Sequence, residues 1–96
     1  MITVYKYYLD PLVSPTAIVM PRGAKILSSQ VQRGIVCMWA LVDTEAPMES
    51  RRFQLLETGQ PALASLAGSE FSIFGDGFIG TVQLMEGSYV LHLFEV

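Results

Sequence analysis

Ninety-six residues and 10.6 kDa allow one compact domain spanning 1–96, since domains run from about 50 to 250 residues. Apolar residues make up 51% of the chain and charged ones 16%, against roughly 25% charged in an average soluble protein, which excludes intrinsic disorder. The net charge of −3 and pI near 4.9 argue against a grip on nucleic acid polymers, because phosphate neutralisation needs clustered Lys and Arg and the six cations here are scattered.

Residues 2–9 are dense in β-branched and aromatic side chains (Thr3, Val4, Tyr5, Tyr7, Tyr8) and end at Asp10-Pro11, which predicts a first strand. A second, short strand is expected over 16–20 between Pro15 and Pro21, followed by a turn at Pro21-Arg22-Gly23. Over 25–32 the alternation places Ile26, Ser28, Gln30 and Gln32 on one face and Lys25, Leu27, Ser29 and Val31 on the other. Arg33-Gly34 then joins this strand to 35–42, which is apolar throughout and predicts a strand covered on both faces. A polar connection over 43–50 leads to a strand at 51–56.

Residues 60–68 break the β pattern. Pro61 suits a first helical position, Ala62, Leu63, Ala64, Leu66 and Ala67 favour helix, and Gly68 can close it, so one short helix is expected there. Strands at 78–85 and 88–96 form a last hairpin around Glu86-Gly87, with a primed turn expected. Gly80 marks a bulge or a close backbone approach. About seven strands and one helix predict a small antiparallel β-sandwich or barrel.

Few groups suit chemistry. Cys37 is the lone cysteine, which allows no internal disulfide and no multi-thiolate metal site and fits a reducing cytoplasm. His92, flanked by Leu91 and Leu93, reads as a hydrogen-bonded sheet residue before it reads as a base. A hydrolase built on Cys37 or His92 is the weakest of three classes, and no catalytic residue, metal site or cofactor is expected. No apolar run reaches membrane-spanning length, so no membrane contact is expected.

Binding suits these residues better. Arg51 and Arg52 are adjacent, so one strand sends them to opposite faces, where one can meet an anion and the other solvent or a carboxylate. Trp39 reads first as a core anchor and second as a stacking platform. Ser28, Gln30 and Gln32, with Thr81, Gln83 and His92, are candidates to line a polar pocket or a groove between subunits. Size scaling gives about 5,500 Å² of folded surface, large for so few charges. A homo-oligomer is therefore expected to cover part of the apolar surplus.

The blocks Met20-Pro21-Arg22-Gly23-Ala24-Lys25-Ile26-Leu27, Cys37-Met38-Trp39-Ala40-Leu41-Val42-Asp43, Arg51-Arg52-Phe53 and Phe78-Ile79-Gly80-Thr81-Val82-Gln83 resemble a family of short uncharacterised bacteriophage, prophage and bacterial proteins. Relative to that pattern, 61–77 reads as a longer, more hydrophobic insertion. The resemblance implies a phage-type accessory protein in a bacterial cytoplasm, which sequesters a nucleotide signal or blocks a host defence protein. The ligand-binding candidates are Arg51, Arg52, Trp39, Gln30, Gln83 and His92. The competing class is a structural assembly protein whose polar positions face solvent.

Overall fold

A computed structural model describes residues 1–60 and 77–96; the helix expected at 60–68 falls almost entirely outside them. Seven strands follow in chain order: β1 (Ile2–Leu9), β2 (Thr16–Pro21), β3 (Lys25–Gln32), β4 (Ile35–Asp43), β5 (Met48–Glu57), β6 (Phe78–Leu84) and β7 (Tyr89–Glu95). They form two antiparallel sheets ordered β1-β4-β3 and β2-β5-β7-β6. The fold is thus a β-sandwich. No helix among the described residues is long and apolar enough to cross a membrane.

Alternation explains the layering. In β4 the side chains of Val36, Met38, Ala40 and Val42 point into the sandwich, where they meet Phe53 and Leu55 of β5, Val82 of β6 and Leu91 and Leu93 of β7. All nine are buried, and they form one contiguous core with Leu9, Met20 and Ala24. Burial of this apolar surface is the main favourable term in folding, at about 25 cal/mol per Å².

The turns obey the chemistry of their residues. Arg33 and Gly34 both have positive φ, at 53° and 77°, the pairing that a two-residue primed hairpin requires. At Pro21-Arg22-Gly23 the Ala24 amide donates to the Pro21 carbonyl at 3.1 Å, with Gly23 at φ 79° in the position that favours glycine.

Four expectations need correction. Leu27 is an extra residue: Ile26 stands opposite Ala40 and Ser28 opposite Trp39, so the strand slips by one position there. Ile26 therefore shares the inner face with Ser29 and Val31, while Ser28, Gln30 and Gln32 face outward, opposite to the grouping that unbroken alternation gives. Within a single chain the β4 strand is covered on one side only, because Ile35 and Leu41 on its outer face are exposed. The β5 strand begins at Met48, since β2 offers Pro21, Met20 and Val19 as partners to Met48, Glu49 and Ser50. The last hairpin turns through three positive-φ residues, Met85, Glu86 and Gly87, in a short 3-10 turn. Gly80 does sit at a bulge, where Ile79 is the extra residue, and a Cβ added to it would meet the Ser29 Cβ at an ordinary 3.8 Å.

Candidate functional site

The six expected ligand-binding residues occupy three separate places. Gln30 and Trp39 lie on the outer face of the three-stranded sheet, opposite Cys37 and Lys6 respectively. Arg52, Gln83 and His92 lie on the outer face of the four-stranded sheet, and Arg51 points inward between the two. The polar pocket imagined from Ser28, Gln30, Gln32, Thr81, Gln83 and His92 is therefore not assembled, because its two halves leave from different sheets. Trp39 is half-buried on the outside and takes no part in the core, contrary to its first reading.

Arg51 is committed to structure. Its side chain is 18% exposed, and Nε and Nη2 donate to the two carboxylate oxygens of Glu95, each at 2.7 Å. Nη1 donates to the Ala24 carbonyl, so all three nitrogens are occupied. The bidentate hydrogen bond to Glu95 raises the arginine pKa above its ordinary value, against the opposing effect of burial. A cleft of about 340 Å³ opens beside this pair, between Ala24, Ile26, Phe78 and Ile79, but three of the five N–H donors of its arginine, and its charge, are committed to Glu95 and the Ala24 carbonyl.

His92 is equally engaged. Its Nε2 lies 2.8 Å from the Thr58 hydroxyl and its Nδ1 3.0 Å from the Thr81 hydroxyl, so each ring nitrogen already has a partner. Cys37, in the other sheet, is fully buried, with its Sγ–H directed at the Ile35 carbonyl at 3.5 Å. The two cannot form a nucleophilic pair.

A different cluster stands out on the three-stranded sheet. Lys6 on β1 reaches across β4 to donate from Nζ to Gln32 Oε1 on β3 at 2.7 Å. Neighbouring strands are about 4.8 Å apart, so the Lys6 and Gln32 side chains together span two strand spacings. The ammonium also sits 5.0 Å from the centre of the Tyr8 ring, an attractive cation–π geometry. Lys6, Tyr8, Gln32, Arg33 and Ile35 together line a pocket of about 340 Å³.

Three features give this pocket chemical meaning. Lys6 and Arg33 enter no ion pair among the described residues, where every pair joins Met1, Arg22 or Arg51 to an acid. Two uncompensated cations therefore meet in a chain that carries net negative charge. Tyr8 presents a ring between them and a second, mainly apolar cleft of about 330 Å³ lined by Leu9, Pro11, Val36 and Leu84, which shares Tyr8 and Ile35 with the first. Volumes of this size fall at the lower end of the range for small-molecule sites, about 300–1,000 Å³.

Sequence reasoning missed this cluster because its members are up to 29 positions apart and only the β1-β4-β3 order joins them. The alternation of β1, which puts Lys6 and Tyr8 on one face, was the available signal. The chain belongs to a family described as a domain of unknown function, DUF7352, which it matches over residues 1–96. No curated protein and no solved structure matches it.

Proposed function

We propose that this member of the family is a non-enzymatic, oligomeric binding module that takes a small anion carrying a flat ring, of the aryl phosphate or mononucleotide kind. The reading is carried by one observation: Lys6 and Arg33, both without a carboxylate, converge with the Tyr8 ring and the Gln32 amide on one pocket. Arginine offers a planar fork to phosphate oxygens and lysine a point charge, while the tyrosine ring can stack on a base. The adjoining cleft, mainly apolar but lined also by Asp10, extends the platform on the other side of Tyr8.

The resemblance to short bacteriophage, prophage and bacterial proteins supplies the setting, a bacterial cytoplasm in which sequestering a nucleotide signal blunts a defence response. A ligand at about 100 times its Kd stabilises a native state by about 2.7 kcal/mol. In a domain of this size that corresponds to a rise in midpoint of roughly 10 °C or more. Thermal unfolding with phenyl phosphate, nucleoside monophosphates and cyclic nucleotides is expected to show such a rise for the wild type. The rise is expected to vanish in Lys6→Gln and Arg33→Gln, to persist in Arg52→Gln on the opposite face, and to shrink at high salt. Stabilisation by none of these compounds, or stabilisation that survives both pocket substitutions, overturns the reading.

A second reading, a pure assembly protein, draws support from Arg51 and His92, whose polar groups are satisfied within the chain. It predicts association of the chain with silence towards every ligand.

A further inference from the structure

We infer that β1 is a self-association edge, through which two copies of the chain pair antiparallel across a two-fold axis at Tyr5 to give one six-stranded sheet. The inference names a surface for the oligomeric part of the reading above; it shares Lys6 and Tyr8 with the anion pocket but does not rest on ligand binding there.

The two sheets have four edge strands, and three of them are protected. β2 is six residues long, follows Pro15 and ends on Pro21, which has no N–H to offer. β3 and β6 each carry a bulge, at Leu27 and Ile79, and pack against each other where the sheets meet. Prolines, bulges and mutual cover are the usual means of blunting an edge.

β1 has none of these. It runs for eight residues in unbroken register with β4, from Ile2 opposite Asp43 to Leu9 opposite Val36, with no proline, no glycine and one charge. Among the described residues no other strand lies on its free side. Long, regular, apolar edges of this kind are templates for strand addition.

The ladder shows which backbone groups are free. The Thr44 amide donates to the Met1 carbonyl at 2.9 Å, so these two form a hydrogen-bonded pair next to the start of β1. Bonded and non-bonded pairs alternate along an antiparallel ladder, so Thr3, Tyr5, Tyr7 and Leu9 direct N–H and C=O towards β4. Ile2, Val4, Lys6 and Tyr8 direct theirs to the open edge. The same four residues carry the outward side chains, and Ile2 (64%), Val4 (48%) and Tyr8 (61%) are exposed.

Charge and coverage then select the register. Opposed residues must share a face and must both have free backbone groups, so the two-fold can lie at Val4, Tyr5 or Lys6. An axis at Lys6 sets two ammonium groups opposite each other, which is repulsive. An axis at Val4 leaves Tyr8 unpaired. An axis at Tyr5 places Ile2 opposite the partner's Tyr8 and Val4 opposite the partner's Lys6, engages all four free residues of each copy in about eight hydrogen bonds, and sets one Tyr5 ring against the other. The exposed apolar side chains of the two copies then form one continuous row.

Light scattering on an eluting peak, together with amide exchange, tests this. The wild type is expected to be a dimer, with the amides of Val4 and Lys6 protected as well as those of Tyr5 and Tyr7. Val4→Pro removes only an N–H that β4 does not use, and Val4→Lys sets like charges opposite each other; both are expected to elute as folded monomers. Val4→Glu, which faces the partner's Lys6, and the charge-exchanged Val4→Lys with Lys6→Glu are expected to remain dimers. A monomeric wild type, rapid exchange of Val4 and Lys6 beside protected Tyr5, or a dimer indifferent to both Val4→Pro and Val4→Lys would overturn the inference. Arg33→Gln is expected to leave the dimer intact, so loss of ligand binding and loss of association are separable.

Discussion

Arg51 and Arg52 are chemically identical neighbours with opposite roles, and the difference is one of strand parity. Arg51 is mostly enclosed and holds Glu95 with two hydrogen bonds, so truncating it leaves a half-buried carboxylate without its partner. Arg51→Ala is expected to lower stability by about 2 kcal/mol, roughly a 10 °C fall in the thermal midpoint. Arg52 is exposed on the outer face, and Arg52→Ala is expected to stay within about 0.5 kcal/mol of wild type. Thermal melts of the two variants side by side check both figures. Tyr7 offers a pH-dependent counterpart. Its hydroxyl is buried without a hydrogen-bond partner, and burial raises its pKa above the ordinary 10.0, helped by nearby Tyr5 and opposed by Arg51. A raised folded-state pKa contributes stability that is complete below the unfolded value and is lost as pH rises through the folded one. Stability is therefore expected to fall above about pH 10, and Tyr7→Phe is expected to flatten that alkaline limb while leaving the neutral-pH midpoint unchanged or slightly higher. Denaturant melts at pH 7 and at alkaline pH measure it. That Arg51 and Arg52 diverge was legible from their adjacency in a strand; that Glu95 and the Ala24 carbonyl would hold Arg51 was not, because both partners lie far away in the chain.

The strands themselves were legible because each carries β-branched or aromatic residues between turn residues whose φ requirements are chemically specific, as at Arg33-Gly34. Facing was legible only where alternation runs unbroken. In β4 the even positions from Val36 to Val42 are inward as the period of two requires, and Met38→Ala is expected to cost about 2–5 kcal/mol, whereas Leu41→Ala on the open face costs less than about 1 kcal/mol. Urea unfolding of both variants tests the assignment. In β3 the extra Leu27 reverses the parity of everything after it, and a bulge has no reliable mark in composition. Ser29 therefore faces inward with its hydroxyl buried and unpartnered, while Gln30 and Gln32 face solvent and Gln32 becomes available to Lys6.

At the scale of the molecule, the low charge count that predicts a covered apolar surface acquires an address. The inner faces of both sheets are filled by one core, and among the described residues part of the surplus lies on the outer face of β1-β4-β3, where Ile2, Val4, Tyr8, Ile35 and Leu41 stand exposed, while Val19, Met48, Phe78 and Met85 are exposed elsewhere. The same face carries the uncompensated pair Lys6 and Arg33. An apolar row along β1 and a cationic pocket beside Tyr8 are what the proposed binding and association would use, while on the opposite sheet His92 engages Thr58 and Thr81 within the chain. None of this was available from the composition of any one segment, because the face is assembled from residues of β1, β3 and β4 brought together by a non-sequential strand order.

The most direct test of this division of labour is an NMR titration of the wild-type chain with phenyl phosphate, following backbone amide shifts residue by residue. Saturable shifts concentrated at Lys6, Tyr8, Gln32 and Arg33, with Arg52, Gln83 and His92 unmoved, are the result predicted for a binding module that works through the three-stranded sheet. An absence of saturable shifts, or shifts centred on the Arg52 and His92 face, would contradict it.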